Sequence, residues 1–157
     1  MFLLILGLAL WWGAHSFKAA APAKRAALDA KFGAKGARGI MAVAILLSVV
    51  LMVIGYQRAD FIDVWYPPEF LRHLNNLMVL IAIALMGARD VKSNLRRLTR
   101  HPMLNGLKLW ALAHLMVNGD LASIVLFGGI LAWGVFEMIR LNKRDGAWIK
   151  PAKTPML

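Results

Sequence analysis

Cysteine is absent from the 157-residue chain, which excludes disulfides, thiolate nucleophiles and zinc–thiolate or iron–sulfur sites. Any metal it holds must sit on histidine, methionine or oxygen. Acidic residues are scarce as well: 8 Asp and Glu stand against 19 Lys and Arg, a formal net charge of +11. Such a balance suits nucleic acid when the basic residues form a soluble patch with aromatic stacking platforms. Here they lie between apolar runs, where they orient a membrane chain and attract anionic lipid, so nucleic acid is not an expected partner. No internal repeat or low-complexity tract is evident.

Apolar residues are abundant. They make up 60% of the chain, well above the roughly 45–50% of a soluble domain, and the mean hydropathy is +0.61. The expected fold class is all-α: one integral membrane domain over 1–157, a bundle of about five transmembrane helices embedded in lipid. The helices are expected at about 2–17, 39–56, 68–88, 103–118 and 121–139, with 140–157 as a tail. The second, third and fifth approach the ~20 residues that span a bilayer, while the first and fourth are short.

Charge placement sets the orientation. All but two of the Lys and Arg fall in 18–38, 89–108 and 140–153, the exceptions being Arg58 and Arg72. The positive-inside rule then gives an outside N-terminus and a cytoplasmic C-terminus, which an odd number of spans satisfies. A signal peptide carries its positive charge before the apolar run; Lys18 comes after it, so the first stretch is read as a retained helix despite the small-residue segment AAAPA. In the outer loop QRADFIDVWYPPE, Trp65 and Tyr66 suit the interface and the prolines suit the start of the third helix. Asn118-Gly119-Asp120 forms a tight connection between the last two helices.

Ionisable residues in hydrocarbon are costly and mark sites unless they serve packing. The stretch RHPMLNGLKLWALAHLMVNGD, residues 100–120, concentrates them. His101 sits where a cap would and Pro102 suits the first turn. His101, Asn105 and Lys108 share one helical face; Trp110, His114 and Asn118 share another. His101 and His114 are about 140° and ~20 Å apart along one helix, so they do not ligate a single metal together. By depth, His15 pairs with His101 on the inner side and His73 with His114 on the outer; His15 and His114 differ in depth by ~10 Å unless the helices tilt. The bland alternative for each histidine is a bond to a neighbouring carbonyl or amide. Lys108 reads as a lysine snorkelling to the cytoplasmic surface, Glu137 as a partner of Arg140 or Arg144, and Asp120 as the N-cap of the fifth helix. Gly128, Gly129 and Gly134 read as a helix contact.

At RHPMLNG, WALAHL, NGDLAS and LFGG, with HS at 15–16 and LRHL at 71–74, the chain resembles the NnrU family of bacterial integral membrane proteins, associated with nitrite and nitric oxide reduction. That family is similar to 15-cis-zeta-carotene isomerase, a multi-span enzyme that binds haem b. The resemblance implies a multi-pass protein of the bacterial inner membrane, with haem iron held by His15 and His114; Trp110 and Asn118, on the same helical face as His114, are then expected to line the cofactor site. His73 and His101 are the alternates by depth. Where the isomerase has a cysteine three residues before the second histidine, this chain has Ala111, so a thiol ligand switch is excluded. Arg100, Pro102, Lys108 and Asp120 are the other motif residues.

The RHP element also resembles membrane methyltransferases such as isoprenylcysteine carboxyl methyltransferase, where it helps hold S-adenosylmethionine. Those enzymes carry a further acidic C-terminal motif, whereas the tail here, EMIRLNKRDGAWIK, is basic. The leading expectation is a haem-b protein, redox-active or isomerase-like, acting on an apolar or small-molecule substrate. The second is a non-catalytic accessory subunit of a larger membrane complex, and the third a methyltransferase.

Overall fold

The computed structural model describes residues 1–87, 97–150 and 152. Among the described residues the chain is all α, with helices α1 (Phe2–Ala20), α2 (Pro22–Gln57), α3 (Leu71–Gly87), α4 (Pro102–Val117) and α5 (Leu121–Asp145). By length and composition α1, α2 and α5 are apolar and long enough to cross a membrane. At 17 and 16 residues, α3 and α4 are shorter, about 24–26 Å by helical rise. Outward-facing side chains on these helices include Val43, Leu46, Val50, Leu80 and Ile83, whereas Ser48, Ser123, Asp120 and Glu137 are buried. Such apolar surfaces fit a membrane protein. Ala88, Arg89, Lys92, Arg96 and Lys153, which belong to segments considered above, lie outside the described residues.

The chain forms two compact units, Met1–Phe61 and Ile62–Leu157. In the first, α1 packs on α2. The interface is built from small residues: a side chain at Gly7 would strike Met52 and the Ser48 carbonyl, and one at Gly55 would strike the backbone of Leu3 and Leu4. Leu4 is fully enclosed there.

Residues 18–38 lie between the first two expected helices, 2–17 and 39–56. They are helical, with α1 running on to Ala20 and α2 beginning at Pro22. Alanine is the best helix former and fills much of this segment, and proline at the first position costs no hydrogen bond. The helix is broken at Gly33, whose φ of 70° and ψ of 162° are accessible in practice to glycine alone. Beyond the break Arg25 donates to the Ala37 carbonyl at 3.2 Å, a pair that a straight helix would hold ~18 Å apart. Arg25 also pairs with Asp29 at 3.0 Å.

In the second unit α4 packs against α3 and against α5. Gly106 meets α3 at the Ala82 carbonyl and Met86, and Gly134 of α5 meets the Lys108 side chain. Gly128 faces open space, so the contact expected of the glycine pair does not hold at that position; the stripe facing α4 is set by Ala122, Ser123, Phe127, Ile130, Trp133, Gly134 and Glu137, which are buried at helical spacing.

The helix after the loop that follows α2 starts at Leu71, later than the prolines at 67 and 68. Leu71 and Arg72 donate to the Pro68 and Glu69 carbonyls in a preceding turn, because the backbone just before the prolines is engaged elsewhere. Val64 and Trp65 donate to the Gly119 carbonyl at 2.8 and 3.1 Å, and Leu121 donates to the Ile62 carbonyl at 2.9 Å. A Cβ at position 119 would run into the Trp65 carbonyl, so the clasp requires glycine there.

Candidate functional site

Residues 100–120 resolve into a polar anchor at the start of α4 and an aromatic cluster near its end. His101 is the N-cap residue but makes no side-chain cap bond. Its Nε2 instead lies 3.0 Å from Asn142 Oδ1. Arg100 donates to the Gly146 carbonyl at 2.6 Å and stands 3.9 Å from the Asp145 carboxylate. Asn105 reaches the Thr99 hydroxyl. The polar half of the motif therefore fastens the beginning of α4 to the end of α5, where an arginine satisfies a carbonyl left without a helical partner.

Lys108 is half-buried. Its stem lies against Gly134 and its Nζ is 3.2 Å from Met138 Sδ. The missing side chain at Gly134 makes room for that course. Glu137, buried, accepts two bonds from Arg140, at 2.9 and 2.5 Å, the pairing that the three-residue spacing allows. Asp120 accepts from the Ser123 amide at 2.9 Å and caps α5 as expected.

His114 sits one turn from the end of α4. Its Nδ1 is 2.9 Å from the Trp110 carbonyl. A carbonyl only accepts, so the proton is on Nδ1 and the Nε2 of a neutral ring carries the lone pair. Two aromatic rings hold the imidazole: Trp110, with centroids 4.6 Å apart, and Phe127 of α5, also at 4.6 Å. Trp110 and Phe127 meet edge to face at 5.2 Å. Asn118 donates both its backbone and side-chain N–H to the His114 carbonyl, at 3.0 and 2.8 Å, closing the helix end beneath the ring.

His15 in the first unit repeats this local arrangement. Its Nδ1 is 2.9 Å from the Trp11 carbonyl, and the two rings are 4.2 Å apart and tilted by 40°. A tryptophan four residues before a histidine is thus used twice. His73, by contrast, is exposed in the first turn of α3. The second unit brings together Trp110, His114, Asn118 and Phe127 at one end of α4, and Arg100, His101 and Asn142 at the other. Phe127 is the participant that sequence reasoning missed; the repeated Trp-x-x-x-His spacing was the available signal for the imidazole orientation.

Among the described residues no group of three or more His, Asp or Glu converges to hold a metal ion. No curated protein and no solved structure matches the chain. The likeness seen in the RHP, WALAH and NGD segments extends from one end of the sequence to the other: the family model described as NnrU protein matches residues 3–156, and the chain belongs to that family.

Proposed function

We propose that the protein binds b-type haem in a membrane, with His114 as the candidate iron ligand of the second unit and His15 as the candidate ligand of the first. The observation that carries this reading is the shared Trp-x-x-x-His device, in which Nδ1–H is committed to a backbone carbonyl. Metal-ligating histidines almost always donate their other ring N–H in this way, which fixes the tautomer and raises the basicity of the ligating nitrogen. A porphyrin-borne iron also needs only one or two protein ligands, which suits a chain with no larger cluster of ligating side chains among its described residues.

When bound, haem supplies one-electron iron chemistry or, with an open axial position, a site for a small ligand. The protein's own part is to orient and to exclude water. Trp110 and Phe127 restrict rotation of the His114 ring, and the Nδ1 bond directs Nε2 away from the helix backbone. Ala111 is fully buried and brings no thiol to that turn, so a thiolate ligand is not on offer there. The RHP element supports methyl transfer less well, because Arg100 and His101 already bond to Gly146 and Asn142.

The same reading includes a multi-pass arrangement in the bacterial inner membrane, N-terminus outside and C-terminus inside. The absence of native cysteine makes single-cysteine labelling from either side a clean test of that topology. For the cofactor, the test is a visible spectrum of detergent-purified protein expressed with added haem, first oxidised and then dithionite-reduced. Stoichiometric Soret and α bands are expected, with loss of both in His114→Ala and loss or a spin-state change in His15→Ala. An unchanged spectrum in His114→Ala removes that residue as ligand. Colourless protein that co-purifies with other subunits overturns the haem reading in favour of an accessory subunit.

A further inference from the structure

Between α1 and α2, within the first unit, lies an apolar cavity of about 350 Å³, lined by Leu10, Gly13, Phe17, Leu28, Ile40 and Met41 among others. The size falls in the range of roughly 300–1,000 Å³ typical of small-ligand sites. The cavity exists because Gly13 has nothing within reach of a Cβ, while the close approach of the two helices is made elsewhere, at Gly7 and Gly55. The break at Gly33 matters too. It turns residues 22–32 out of line with the rest of α2, so that Leu28 contributes to the lining alongside Ile40 and Met41.

That short segment carries charge on the lining face. Lys24 is four residues before Leu28 and Lys31 three after it, so the two lysines share the helical face of the one apolar residue that the segment gives to the cavity; the Lys31 ammonium rests over the exposed Phe32 ring, 5.3 Å from its centroid, and is free to swing to a headgroup. Lys18 is four residues beyond the lining residue Ala14 on α1. All three lysines are exposed, and among the described residues none is in a salt bridge. Asp29, the acidic residue nearest in sequence, is taken by Arg25. An apolar slot with lysines at one end matches an amphiphile with a long hydrocarbon tail and an anionic head.

We propose that this groove holds one acyl chain of an anionic phospholipid, with the headgroup phosphate against Lys24 and Lys31. The inference rests on the reading of the chain as a membrane protein and not on haem. The positive-inside arrangement puts these lysines at the cytoplasmic leaflet, where anionic lipids are concentrated.

Native mass spectrometry of the detergent-solubilised full chain, titrated with dioleoyl phosphatidylglycerol or dioleoyl phosphatidylcholine, tests it. Retention in micelles does not depend on orientation, so failure here is distinct from failure of the topology in the labelling experiment. Wild type is expected to retain phosphatidylglycerol roughly tenfold better than phosphatidylcholine. The K24Q/K31Q double substitution removes that preference while weak retention of both lipids persists. Gly13→Leu fills the slot and lowers retention of both. Gly39→Leu, another position with open space for a Cβ but outside the lining, keeps wild-type behaviour and controls for an added leucine. Equal retention of the two lipids by wild type overturns the charge recognition, and unchanged retention in Gly13→Leu overturns the groove.

Discussion

The two units solve the same problem with partly different materials. Helices surrounded by lipid gain nothing from hiding apolar side chains, since the surroundings are equally apolar, and they associate through close backbone approach or through hydrogen bonds. The first unit relies on approach: Gly7 and Gly55 let α1 and α2 touch along their backbones, and its buried Ser48 bonds within its own helix, to Ile45. The second unit combines the two: Gly106 lets α4 meet the α3 backbone at Ala82, and the Gly119 clasp, the Asp120 cap and the Arg100 and His101 anchors add hydrogen bonds at the ends of α4 and α5. Where the contact is backbone on backbone, one added methyl has nowhere to go. Where it is side chain on carbonyl, the loss of one partner leaves the rest of the anchor in place.

The largest expected effect breaks the first kind of contact. Gly55→Ala drives a methyl into the Leu4 amide and should destabilise the first unit by about 3 kcal/mol or more, read as a lowered midpoint of unfolding in mixed micelles. Gly119→Ala is the matching test in the second unit, since its methyl meets a carbonyl of the clasp. A milder change than in Gly55→Ala would show that the loop at 62–66 yields where the helix pair cannot. Next comes Asp120→Ala, which removes the α5 cap and should cost about 1 kcal/mol, with faster hydrogen exchange at Ser123 as its local signature. The smallest is Arg100→Gln. It deletes an exposed bond to Gly146 and a long ion pair to Asp145, so a loss below about 1 kcal/mol is expected, confined to fraying at the end of α5. A global loss in that variant would mean that the anchor governs the whole unit.

What could be read in advance was local. The Asp120 cap follows from a short polar residue before an apolar helix, and the Glu137–Arg140 pair from spacing along one turn. Apolar runs alone do not mark the helical character of 18–38, because its lysines and arginines interrupt them. Alanine between them carries the stronger preference, and one glycine supplies the bend. At the aromatic cluster, Trp110 and His114 were visible as one face of α4. Phe127 was not, because its place depends on how α5 rotates against α4. Lys108 was read as if alone on its helix, whereas its course is set by the absent side chain of Gly134 on the neighbour.

The clasp at Gly119 has a consequence for the order of assembly. Its hydrogen bonds join Ile62, Val64 and Trp65 to Gly119 and Leu121, stretches that have all of α3 and α4 between them. Closing so long a loop is entropically unfavourable before other contacts form, and contacts distant in sequence are made late in folding. During synthesis Ile62, Val64 and Trp65 emerge well before their partners do. The clasp therefore closes only after Gly119 and Leu121 have been made, and packing of α4 on α3 shortens the loop that it has to close.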